Sequence, residues 1–196
     1  MRQLFEAFQS RFKCITVANV SFAHKHRSNM CHNSAMNLTV TLDLPPLPFC
    51  TTKNPHEKFK SFAERMRNID SHEKVLVVLH MFTHTLNYHS HVYLHSIKAM
   101  KSGVLELLKQ HPRAVVVIKG PHAFAFSQVS SHVIRQPDAY VEPYTQFLKE
   151  EFKDLHERVV YLNALDITIA TEQWDIHPQD FVVHDLVNRL FYFYCS

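Results

Sequence analysis

The segment Gln173-Trp174-Asp175-Ile176-His177-Pro178 combines residue types that can move a proton. An imidazole held just ahead of a helix can take the proton of a serine hydroxyl, provided that a carboxylate fixes its tautomer. His177 is the candidate general base. Asp175, two residues before it, and Asp166, further back, are the candidate orienting carboxylates. The same residues also suit a plain helix start, in which Asp175 caps the first turn and His177 faces solvent.

A second constellation is histidine-rich. His80, His84, His89, His91 and His95 fall within sixteen residues, and His91 and His95 stand four apart, a spacing that lets one helical face offer two imidazoles to zinc. Against that, neither His72-Glu73 nor His156-Glu157 extends to His-Glu-x-x-His, and no Cys-x-x-Cys is present. The pattern calls for no metal and no organic cofactor; its histidines read as solvated or as hydrogen-bonded within the core.

Elements must hold these groups, and the valine-rich runs show which. Lys74 to His80, Ala114 to Lys119 and Arg158 to Asn163 are continuous apolar stretches of strand length, the mark of strands buried on both faces. Between and after them run helical stripes: Glu57 to Ile69, Val92 to Gln110 with Leu94, Ile97, Met100, Val104, Leu107 and Leu108 inward, Tyr140 to His156, and Pro178 to Tyr194. Alternating strand and helix with short links predicts an α/β fold, a parallel sheet covered by helices on both faces. In such a sheet functional groups collect beyond the C-terminal strand ends. That edge receives His80, Thr83 and His84, then Lys119, Gly120, Pro121 and His122, then Asp166, Thr168, Asp175 and His177. Lys119 there suits contact with an anionic substrate or an oxyanion, and equally suits a strand-end charge in solvent.

The first third is less regular. Leu4, Phe5, Phe8 and Phe12 form a helical stripe, Cys14 to Phe22 alternates as a strand, and Leu38 to Leu44 is a second strand closed by Pro45, Pro46 and Pro48. The polar stretch His24 to Ala35 reads as a loop.

Composition bounds the function. Of 196 residues 46% are hydrophobic and 20% charged, and the formal charge of +3 comes from scattered Lys and Arg. This is a single globular domain with no nucleic-acid patch and no apolar run long enough for a membrane span. The opening residues form no signal peptide. The sequons Asn19-Val20-Ser21 and Asn37-Leu38-Thr39 point toward the secretory lumen. Cys14, Cys31, Cys50 and Cys195 allow one or two disulfides in that compartment, or buried thiols in the cytosol.

From about residue 60 onward the chain resembles the C-terminal domain of the neurexophilin and PC-esterase (NXPE) family. The carrying blocks are Val75 to Leu79, His84, Tyr93, and Gln110 to Lys119, the last similar to the family's "RSP-x-T-x-VVIK". Asn163-Ala164-Leu165-Asp166-Ile167-Thr168 is similar to "D-A-W-D-M-T". Asp175-Ile176-His177-Pro178-Gln179 and Leu190 to Cys195 are similar to "N-(I/L)-H-P-P" and a helix ending in "L-x-S-Y-x-C".

The resemblance implies an SGNH-hydrolase-like (flavodoxin-like) three-layer fold over residues 1–196, in a secretory-pathway protein acting on acyl esters of a glycan or glycoprotein. His177, Asp175, Asp166, His84 and Lys119 would then form its catalytic edge. In the family a Gly-Asp-Ser-Thr block precedes an Arg-Gln pair that begins the first helix, and Met1-Arg2-Gln3 looks like that continuation. The serine nucleophile would therefore lie before Met1, and the domain is expected to be truncated and inactive as it stands. The family's His-Gly-x-Pro segment is replaced by Asp43-Leu44-Pro45-Pro46, and the presence of only 2 Gly fits a site that has lost turns needing positive φ. The alternative is a lumenal or secreted binding domain that retains the fold without the chemistry. If the chain is lumenal, Cys195 is expected in a disulfide.

Overall fold

The computed structural model describes residues 2–20, 28–42, 62–69, 75–80, 85, 88–123, 140–172 and 177–195. In chain order the elements are α1 (Arg2–Arg11), β1 (Ile15–Val20), β2 (Ser28–Asn33), β3 (Leu38–Leu42), α2 (Phe62–Arg67), β4 (Leu76–Leu79), α3 (Ser90–Gln110), β5 (Val115–Lys119), α4 (Val141–Phe152), β6 (Val159–Leu162), α5 (Leu165–Ala170) and α6 (Asp180–Cys195).

The three valine-rich runs form one parallel sheet in the order β4-β5-β6, with Leu79 opposite Ile118 and Lys119 opposite Leu162. Because successive strand residues face opposite sides, each strand feeds two cores. Val116, Ile118 and Val159 join Met66, Tyr93, Ile97, Met100, Val104, Leu107 and Leu148 on the side of α2, α3 and α4. Val117 and Leu162 join Leu4, Ala7, Val182, Val183, Leu186 and Leu190 on the side of α1 and α6. The result is a three-layer α/β arrangement. Among the described residues no helix is long and apolar enough to cross a membrane.

Two contacts show why α2 and α3 lie so close. A Cβ on Gly103 would come within 2.6 Å of the Ala63 Cα, so the helices meet through a missing side chain. The exposed Arg67–Glu106 ion pair closes their outer edge. Such an exposed pair contributes little beside the buried face. On the inner face of α3 the buried aromatic is Tyr93, whereas Leu94 is only half-buried.

The N-terminal third forms a separate antiparallel sheet, β1-β2-β3, which packs on α1 through Phe5, Cys14, Cys31 and Leu42. Here the expected loop over His24 to Ala35 is corrected. Ser28 to Asn33 is the central strand of the sheet, paired on both sides. Its polar sequence hides the strand because a ribbon with one solvent face needs few apolar residues. Cys31 on this strand is fully buried and covalently tied to Cys14. That disulfide decides between thiol and disulfide for the first cysteine pair; Cys50 and the side chain of Cys195 lie outside the described residues.

The segment Asp43-Leu44-Pro45-Pro46, where the resemblance implies lost positive-φ turns, lies outside the described residues. Lys13, Asn37 and Glu172 adopt φ of 46°, 48° and 47°, and neither glycine has positive φ. The glycines serve close packing instead.

Candidate functional site

The parallel register brings His80, Lys119 and Asn163 to one edge of the sheet, at the C-terminal ends of β4, β5 and β6. Lys119 is only 4% exposed. Its Nζ donates to the Gly120 carbonyl at 3.0 Å, and burial pushes the amine down to about 8. His80 Nδ1 lies 3.1 Å from the Lys119 carbonyl. Burial, and then the charge of Lys119, hold His80 well below the ordinary histidine range. A neutral ring facing a carbonyl must place its proton on Nδ1, which leaves a lone pair on Nε2. His122, buried on the loop after β5, acts on His80 electrostatically as a third member of this cluster.

Two packing contacts fix the loop after β5. A Cβ on Gly120 would lie 2.3 Å from the Tyr161 hydroxyl and 2.8 Å from its ring carbon. Only glycine allows β5 and β6 to close over that ring. Farther along, Thr168 Oγ1 accepts from the Ala123 amide at 2.9 Å and lies 2.8 Å from the Ala164 carbonyl, to which it can donate. One fully buried hydroxyl thus joins the loop after β5 to α5.

Asp166 is exposed at the start of α5, where its Oδ2 accepts from Asn163 Nδ2 at 2.6 Å. Asn163 Oδ1 in turn accepts from the Leu165 amide, so the pair fastens the first turn of the helix. His177 is exposed, and Pro178 after it is buried. Asp175 and His84 lie outside the described residues.

The segment that carries His177 is anchored from the other end of the chain. Gln3 Nε2 donates to the Pro178 carbonyl at 3.1 Å. Farther down the same two helices, Arg11 Nη1 donates to Asn188 Oδ1 at 2.6 Å, and Phe12 meets Phe191 edge-on at 4.7 Å. Both segments advance together through these contacts, so α1 and α6 run side by side in the same direction. Their first turns therefore share one end of the molecule. Beside that junction a cleft of about 250 Å³ is lined by Gln3, Glu6, Ser10, Asp180 and His184.

Among the described residues no group of three or more His, Cys, Asp or Glu stands where it could hold a metal ion. His91 and His95 are both exposed on α3, and the nearer ring neighbour of His91 is His89, edge-on at 5.0 Å.

Sequence reasoning passed over Gln3 and Tyr161. Gln3 entered only as half of the Arg-Gln pair that begins the first helix, with no contact assigned to it. Tyr161 could have been found from the lone glycine opposite it, since a glycine at a strand end invites a bulky neighbour.

The family model described as NXPE family member 4-like, C-terminal domain, matches residues 1–195. No solved structure matches the chain.

Proposed function

The chain belongs to the NXPE family, and we propose that it is the base-bearing part of an SGNH-type domain for acyl-ester chemistry on glycans or glycoproteins. In this reading His177 is the general base. It takes the proton of a serine hydroxyl as that oxygen attacks the ester carbonyl, and returns it to the departing sugar oxygen. Asp175 or Asp166 orients the imidazole. Lys119 stands at the strand edge, where its buried amine can donate a hydrogen bond to the developing oxyanion, and the family resemblance assigns His84 to the same chemistry.

The observation that carries the reading is the Gln3–Pro178 hydrogen bond. In a doubly wound sheet, a helix that follows a strand starts at that strand's C-terminal end. The start of α1 lies against the residue after His177, so a serine delivered just ahead of Arg2 would arrive beside the base. The 196 residues themselves contain no Gly-Asp-Ser block. In this reading these 196 residues taken alone are predicted to show no ester turnover. Family membership and the Cys14–Cys31 disulfide support a place in the secretory pathway.

The test compares the 196-residue chain with one that carries the family's Gly-Asp-Ser-Thr block ahead of Arg2. A fluorophosphonate probe should label the serine of the longer chain, lose that label with His177→Ala, and leave the shorter chain unlabelled. Labelling of the shorter chain, at Ser127 or Ser130 for example, would overturn the reading. A longer chain that folds and never labels would favour a binding domain that keeps the fold alone.

A further inference from the structure

We propose that Asn37 is an N-glycosylation site, so that the domain carries an oligosaccharide at the tip of its β2–β3 hairpin. The sequence there is Asn37-Leu38-Thr39, the acceptor pattern for transfer to an asparagine amide. Chance produces such triplets often, and three structural features separate this one from chance.

The first is place. Residues 34–37 form the turn between β2 and β3, and all four are exposed. Asn37 itself sits at a φ of 48°, a conformation that asparagine tolerates better than most residues with a side chain. The turn is held by the Asn37 amide on the Ser34 carbonyl and by the Met36 amide on Asn33 Oδ1. A bulky group on the Asn37 side chain leaves those backbone bonds intact.

The second is covalent chemistry in the same sheet. Cys14 and Cys31 are joined, and Cys31 lies on the strand that leads into this turn. A disulfide forms in an oxidising compartment, and the secretory lumen is also where asparagine-linked sugars are added.

The third is the surface beside the turn. Ile15, His32 and Thr39 stand across one face of the sheet by their pairing, and Ile15 is 75% exposed. Met36, next to Asn37, is 57% exposed. A hydrated oligosaccharide rooted at Asn37 would shield this apolar surface.

In the transfer, the Asn37 amide nitrogen bonds to the anomeric carbon of a lipid-linked oligosaccharyl pyrophosphate. The bond from that carbon to the pyrophosphate oxygen breaks, and the amide proton leaves with the released lipid pyrophosphate. Transfer acts on the unfolded chain, before Thr39 Oγ1 engages the His32 ring at 3.0 Å. The inference is independent of any catalytic role for His177.

The test is to direct the full chain into the endoplasmic reticulum of cultured animal cells and treat it with peptide-N-glycosidase F. Mass spectrometry should show loss of one glycan and conversion of residue 37 to aspartate. Asn37→Asp and Thr39→Ala should each abolish the enzyme-sensitive mass, and Thr39→Ser should keep it. Because transfer precedes folding, the result does not depend on how stable each variant is. An unmodified Asn37 in the lumenal chain would overturn the proposal. So would a glycan that survives Asn37→Asp and disappears with Asn19→Gln.

Discussion

Gln3 and Pro178 are joined by a hydrogen bond of 3.1 Å although 175 residues separate them in sequence. The bond ties the first turn of α1 to the short segment between His177 and α6. His177, the residue before this anchor, is exposed.

Gln3→Ala should therefore cost about 1 kcal/mol, the usual net worth of a part-buried neutral hydrogen bond. Gln3→Glu should cost at least as much, because a carboxylate turned toward a carbonyl has no proton to donate. Urea denaturation midpoints of the three proteins check this. A Gln3→Glu protein as stable as the parent would show that the bond anchors nothing.

The buried Lys119 gives stability a pH signature. Its amine is held at about 8 by burial, against 10.5 ordinarily. Between those values the unfolded chain binds more protons than the folded one, so stability rises with pH through that window, by at most about 3 kcal/mol. Below about pH 8 the cost of burying the ammonium is present in full. Lys119→Met should flatten the rise between about pH 8 and pH 10. The window stops there because burial also raises the Tyr93 phenol, which destabilises the fold once unfolded tyrosines ionise. A slope unchanged in Lys119→Met would refute a buried amine.

Gly120 should not tolerate a side chain. Gly120→Ala places a methyl group 2.3 Å from the Tyr161 hydroxyl and should cost about 1–3 kcal/mol. Tyr161→Phe removes the nearest atom but leaves the ring carbon at 2.8 Å, so it should recover part of the loss and not all of it. A double-mutant cycle on thermal midpoints measures the coupling. Additive losses would mean that the two residues do not meet.

Replacing Cys14 and Cys31 together by alanine should cost about 3 kcal/mol, since the bond closes a loop of similar length to those for which that figure is typical. The loss should centre on the β1–β3 sheet and α1, which share the core containing both sulfurs. Hydrogen exchange localises it. Faster exchange in β4, β5 and β6 with no change in β2 would contradict this packing.

The parallel sheet was legible in the sequence because Val75 to Leu79, Ala114 to Ile118 and Val159 to Leu162 are apolar on both faces. Their strand length and β-branched composition suit a strand between two helix layers. Strand β2 was not legible, because among the described side chains of Ser28 to Asn33 Cys31 alone is fully buried, and the strand owes its place to pairing on both sides and to a disulfide that no local pattern encodes. Tyr93 was passed over for Leu94 because hydrophobicity alone ranks leucine higher, while the structure buries the larger ring against Tyr144 at 4.4 Å. The strand-end location of Lys119 followed from topology, but its burial did not: a lysine at a strand end ordinarily reaches solvent. The contact between Gln3 and Pro178 joins the two ends of the chain and could not be read from either.

The central claim is that His177 faces the start of α1. Its most direct test is a crystal structure of the chain with the family's Gly-Asp-Ser-Thr block placed ahead of Arg2. The account predicts that the serine Oγ lies within hydrogen-bond reach of the His177 ring, at roughly 2.6–3.2 Å, with Asp175 or Asp166 on the other ring nitrogen. A serine at the strand edge with His177 turned to the opposite end of the molecule, out of reach even through one water, would contradict it.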